Sequence, residues 1–216
     1  MKKSLILLAF LSAAAFVQAQ VKAYVSGKNY SLQSVDITLG NLIVNISEDG
    51  KITRFYADDL NGNVDYYDDE NFDAYRYGKL KNIGNISIEY WDTPDKTDPK
   101  YGKIKSIGNV GVSYWDQGAF DKEKSGKVKK IGNVSIDYWG NDIIDNSRYG
   151  KMKIIDGISI DYGVKEVINQ SRYGKLIQFG PVKIDYWSDD TFKDKRKYGK
   201  LKSVTGNSKD IMVVFL

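Results

Sequence analysis

The chain has 216 residues, 32 basic and 28 acidic, with a formal charge of +4 and neither cysteine nor histidine. Disulfides, thiolate nucleophiles, Cys/His zinc clusters and Ser–His or Cys–His catalysis are excluded. Aromatics make up 13%, with 16 Tyr against 8 Phe and only 3 Pro, a composition that buries a core and favours strands over helices.

Residues 1–19 predict a secretory signal peptide. Lys2 and Lys3 precede an apolar run from Ser4 to Val17, and Val17-Gln18-Ala19 presents small residues for a cut after Ala19. The apolar run is shorter than the roughly 20 residues a membrane span needs, so no transmembrane span is expected in the mature chain. No cysteine follows the cut, which excludes a lipoprotein. Cleavage removes two lysines and no acid, taking the charge from +4 to +2. A chain this close to neutral gives no support for a nucleic-acid partner. The expected location is exported: periplasmic, outer-surface or secreted.

Residues 20–49 read as an N-terminal cap region and 50–216 as a β-hairpin repeat domain. The glycine of a Gly-Lys pair recurs at Gly50, Gly78, Gly102, Gly126, Gly150, Gly174 and Gly199, with intervals of 24, 24, 24, 24 and 25 after an initial 28. A fixed period in this range is the signature of a repeat architecture. Each unit reads Tyr-Gly-Lys-Leu/Ile-x-x-Ile-Gly-Asn-x-x-Ile-Asp-Tyr-Trp, then a variable polar stretch. Gly50-Lys51-Ile52 with Gly62 to Tyr67 looks like one further unit carrying an insertion. The stretch from Asp59 to Glu70 partly matches a calcium loop. However, Val64 stands where such a loop needs glycine, and the segment reads as a hairpin turn with a solvated acidic loop. No metal or cofactor is predicted.

Each unit is predicted to be a β-hairpin reversing at a three-residue loop, Ile83-Gly84-Asn85 in the first, with Asn85 left-handed. Leu80 then faces Ile88, Lys79 faces Glu89 and Tyr77 faces Trp91. The same register sets Lys127, Lys151 and Lys175 against Asp137, Asp161 and Asp185, and only Lys103, opposite Ser113, lacks an acid. A two-residue Gly-Asn loop is disfavoured because it mixes the faces. One face becomes Leu80, Ile86, Ile88 and Tyr90, matched next door by Ile104, Val110, Val112 and Tyr114. The expected fold is all-β: a curled antiparallel meander of about 12–14 short strands, solenoid-like, rolled or closed as a barrel. Strands this short, with Lys and Asp facing outward, do not suit an outer-membrane barrel.

On the charged face this register lines up Tyr77, Trp91, Tyr101, Trp115, Trp139, Tyr173 and Trp187. Flat rings beside Lys and Asp offer a contact row for an envelope glycan or another exported protein, or else are cross-strand packing pairs. The first lysines are neutralised by the facing acids. The second lysines, Lys81, Lys105, Lys129 and Lys153, facing Ser87, Gly111, Ser135 and Ser159, leave some positive potential. Catalysis by paired carboxylates needs two unlike environments, and the acids here are repeated and lysine-paired, so no catalytic residue is predicted.

The run Tyr77 to Asp92 resembles the YD repeats of RHS-type bacterial exported proteins, whose consecutive hairpins form long curled sheets. The Tyr-Asp pair of those repeats is Tyr-Trp-Asp here, and the period is longer. The chain is also similar to small secreted Bacteroidetes-type repeat proteins of unassigned function. The resemblance covers residues 50–216 and implies repeat hairpins, export and binding or scaffold work; no catalytic residue transfers. The expected function is that of an exported, non-enzymatic binding or scaffold module at the cell envelope. The alternatives are an assembly subunit pairing through edge strands and a carboxylate-based glycan hydrolase.

Overall fold

The computed structural model describes residues 20–57, 60–118, 122–142, 145–167, 170–188 and 195–216. The predicted signal peptide lies outside the described residues. Seventeen strands are seen among them, with two single-turn 3-10 segments and no α-helix. The first four are β1 (Gln20–Val25), β2 (Leu32–Leu39), β3 (Leu42–Ser47) and β4 (Ile52–Ala57). Next come β5 (Val64–Tyr66) and five hairpins: β6 (Leu80–Ile83) with β7 (Ile86–Tyr90), β8 (Ile104–Ile107) with β9 (Val110–Tyr114), β10 (Val128–Ile131) with β11 (Val134–Tyr138), β12 (Met152–Ile155) with β13 (Ile158–Tyr162), and β14 (Leu176–Phe179) with β15 (Val182–Tyr186). The chain ends with β16 (Leu201–Thr205) and β17 (Ile211–Phe215).

The strands form two sheets. One runs β17-β1-β2-β3-β4, and the other is a twelve-stranded antiparallel meander from β5 to β16 in chain order. β1 and β17 pair in parallel, which places the last strand beside the first described one. Gly50 and Lys51, read in the sequence as opening a hairpin unit, lie in the turn between β3 and β4 of the first sheet.

The hairpin register corrects the expected one. Asn82 pairs with Ser87 and Ile83 with Ile86, so the loop is the two-residue Gly84-Asn85. Gly84, at φ +55°, takes the left-handed position, and Asn85 is not left-handed. This is the glycine-first turn whose twist suits a right-handed hairpin. The objection to that loop, mixed faces, is removed by a bulge. Where β8 meets β7, Glu89 pairs with Ser106 and Tyr90 with Ile104, leaving Lys105 extra. The bulge lets both ends of the short strand point inward while the two residues between them face out. Hence Ile107, Ile131, Ile155 and Phe179, placed in loops by the sequence reading, are core residues at most 1% exposed.

The aliphatic rows Leu80-Ile86-Ile88-Tyr90 and Ile104-Val110-Val112-Tyr114 do face the core. What covers them from β8 onward is the first sheet, whose strands alternate inward Val21, Ala23, Val25, Val35, Ile37, Val44 and Ile46, all fully buried. The edge hairpin has its own small cluster of Tyr67, Ile88 and Tyr90, reached from the first sheet by Phe55 of β4.

Candidate ligand-contact surface on the outward face

The facing pairs proposed from the sequence are replaced by contacts one hairpin along. Trp91 N–H donates to Lys103 O and Trp91 O accepts from Gly102 N–H, both at 2.8 Å, so its strand partner is the next Gly-Lys pair and not Tyr77. Trp115, Trp139 and Trp187 repeat this with Gly126-Lys127, Gly150-Lys151 and Gly199-Lys200. The indole N–H groups of Trp91, Trp115 and Trp139 donate to the carbonyls of Val112, Ile136 and Ile160, each at 3.2 Å. Cations meet the rings: Lys100 and Lys105 lie 5.6 and 5.3 Å from Trp91, Lys124 and Lys129 lie 4.9 and 4.7 Å from Trp115, and Arg148 and Lys153 lie 4.6 and 5.1 Å from Trp139. These three indoles are fasteners between hairpins. Trp187, between Lys197 and Lys202, stays 40% exposed.

The tyrosines behave differently. Tyr77 and Tyr173, with Tyr149 and Tyr198, are 44–49% exposed, while Tyr101 is half-buried with its ring 6.3 Å from Tyr75. Tyr198 was not among the predicted contact residues, although its Tyr-Gly-Lys run repeats the signal. Of the seven predicted contact residues, Tyr77, Tyr173 and Trp187 therefore stand in the open and the other four are partly covered.

The lysine–acid ladder is also rearranged. Lys79, Lys103, Lys127, Lys151 and Lys175 turn to the inward side and donate to the carbonyls of Gly102, Gly126, Gly150, Gly174 and Gly199. Burial holds Lys79, Lys103, Lys127 and Lys175 below the ordinary lysine pKa. The acids pair instead with cations just before the Gly-Lys pairs or on the next strand: Glu89 with Arg76, Asp137 with Lys124, Asp161 with Arg148 and Asp185 with Lys202, all within 3.1 Å.

One hairpin departs from this pattern, and there the outward face opens. In β9, Ser113 stands where the other hairpins carry Glu89, Asp137, Asp161 or Asp185, and Gly111 stands where they carry Ser87, Ser135, Ser159 or Lys183. A Cβ built on Gly111 would meet nothing within 4 Å. Lys100, lacking the acid, reaches to Asp116 at 3.0 Å. Two adjoining hollows of about 530 and 300 Å³ result, sharing Trp91, Ser113 and Lys130. Lys105 and Lys129 complete the border. Two carboxylates also line the hollows, Glu89 held by Arg76 and Asp116 held by Lys100, whereas Lys105, Lys129 and Lys130 make no ion pair among the described residues, so the balance of the groove is positive with one indole edge at its wall. Its signal was present in the sequence as the single lysine lacking a facing acid.

The chain matches no protein-family model, no curated protein and no solved structure.

Proposed function

We propose that this chain is an exported, non-enzymatic binding module of the bacterial envelope, built from tandem 24-residue hairpin units, and that its groove over Gly111 and Ser113 takes an acidic glycan strand. The observation that carries this reading is the coincidence of two small residues in one hairpin with unpaired Lys105, Lys129 and Lys130 beside Trp91. A surface that neutralises each acid with its own cation leaves net attraction for an anion only where an acid is missing. Sugars also offer hydroxyls to the lysines and C–H edges to the indole. The partnered acids of the other hairpins support a non-enzymatic role, since none forms a pair of carboxyls in unlike surroundings. Export rests on the signal-like residues 1–19.

Titration of residues 20–216 with acidic and neutral oligosaccharides of equal length tests the reading, followed by calorimetry and tryptophan fluorescence. The acidic series binds, and binding weakens with salt. The double variant Gly111→Ser/Ser113→Asp restores residues that neighbouring hairpins already carry. It keeps the fold and lowers affinity by about tenfold or more. Equal binding of neutral sugars, or an unaffected double variant, overturns the proposal.

A second reading, an assembly subunit, has its own observation. β5 is an edge strand of three exposed residues, with Val64 and Tyr66 at least half exposed. Exposed edges template pairing with another chain, and concentration-dependent sedimentation abolished by Val64→Lys identifies that case.

A further inference from the structure

The inward lysines form a row in which each ammonium lies 4.7–5.3 Å from the ring of a tyrosine, from Tyr90 for Lys79 to Tyr186 for Lys175. The first sheet completes the surroundings of three members. The Glu48 carboxylate lies 3.6 Å from Lys151, Tyr30 lays its ring 5.2 Å from Lys175, and Gly50 packs so closely on Lys127 that an added Cβ would come within 2.8 Å of it. Lys79 and Lys103 receive no such cover. They front a cavity of about 320 Å³ closed on the other side by the Gly50-Lys51 turn and Ile52.

The lining is unusual in charge. Lys79 and Lys103 face the cavity from the strands and Lys51, its ammonium paired with Asp49 at 2.6 Å, stands at the exposed rim; no carboxylate lines the cavity, while Tyr90, Tyr114, Ile52 and Ile104 give it apolar walls. An ammonium has three donors. Lys103 spends one on Gly126 O, and Lys79 spends two, on Gly102 O and on Tyr75 O at 2.7 Å, so each keeps at least one for a guest. We propose that this cavity binds a small organic anion with an apolar or aromatic body. Its acidic group sits among Lys51, Lys79 and Lys103, and its body lies against Ile52, Ile104 and the rings of Tyr90 and Tyr114. The volume is that of a small-ligand site, mostly apolar with a few convergent polar groups. Burial, aided at Lys103 by the neighbouring Lys51 against the opposing pull of Asp98, depresses the pKa of both inner ammoniums. An anion in the cavity relieves that strain. The site is on the opposite face of the strands from the Gly111 groove and stands independently of it.

Ligand-observed NMR and calorimetry on residues 20–216 with benzoate, phenyl phosphate, benzamide and inorganic phosphate provide the test. At least one of the anionic aromatics binds, and the tighter of the two identifies the acidic group. Benzamide and inorganic phosphate bind at least about tenfold more weakly than that one, lacking the charge and the body respectively. Lys51→Glu, at an exposed rim position, costs about tenfold or more, and Lys103→Met does likewise where it folds. Lys130→Glu, in the outward groove, leaves the affinity unchanged. Benzamide binding as tightly as benzoate or phenyl phosphate, no binding by any of the four at millimolar concentration, or wild-type affinity in Lys51→Glu overturns the assignment.

Discussion

Trp115 donates its indole N–H to Ile136 O and keeps two ammoniums, Lys124 and Lys129, within 5 Å of its ring. Tyr173, one of its companions in the row read from the sequence, is half exposed. Both residues recur at fixed offsets from Gly-Lys, so spacing cannot separate a fastener from a free ring; the difference lies in which strand comes to rest beside each. Substitution separates them. Trp115→Phe removes the N–H bond and weakens the cation contacts, and it lowers unfolding free energy by about 1–2 kcal/mol. Tyr173→Ala changes it by no more than about 0.5 kcal/mol. Urea unfolding followed by circular dichroism measures both, and equal losses would return the two residues to one class.

At the scale of the hairpin, most of the design was legible. The strand pair, the reversal near Ile-Gly-Asn and the inward row through Ile88 and Tyr90 follow from alternation and the turn glycine. The register did not follow, because pattern reasoning assumed an unbroken period of two, whereas the bulge at Lys105 inserts a residue and resets the phase. One sequence signal favoured the shorter loop. The fifth hairpin reverses at Gly180-Pro181, in the position of Gly84-Asn85. A proline cannot be left-handed, and in the four hairpins whose turn opens with glycine the second turn residue is not left-handed; the fourth hairpin, turning at Asp156-Gly157, is left-handed at both positions. Asn133→Pro therefore fits its turn and stiffens the unfolded chain, raising stability by about 0.5–1 kcal/mol. A loss in the same urea assay would contradict the turn geometry. Gly111 belongs to this scale too: a gap in the ladder was visible, but its opening into a groove depends on how Trp91 and Lys130 flank it from neighbouring strands.

For the whole molecule, the decisive feature is the layer that covers the meander. The first sheet buries one side of β8 to β15, and it leaves lysines and tyrosine hydroxyls together in the interior. This arrangement sets a pH profile. Lys79, Lys103, Lys127 and Lys175 lie below their ordinary 10.5. Just below that value the unfolded chain holds more protons than the folded one, so stability rises with pH. Tyr114, Tyr138, Tyr162 and Tyr186 are pushed above their ordinary 10.0 by burial. Beyond 10.0 the unfolded chain ionises first, and stability falls. The urea midpoint is expected to climb as the pH approaches about 10 and then drop. A steady fall over that approach would show that the inward lysines are not desolvated.

Local chemistry determined, from the sequence alone, that the chain is built of strands, where each hairpin reverses and which aliphatic rows are buried, because alternation and turn preferences act over a few neighbouring residues. Tertiary structure decided what those rows face, where each lysine finds its partner and which aromatic rings remain open. The covering strands β1 to β4 and β17 come from both ends of the chain. No spacing within the hairpins records that Glu48 will meet Lys151, that Tyr30 will lie on Lys175, or that the cover stops short of Lys79 and Lys103.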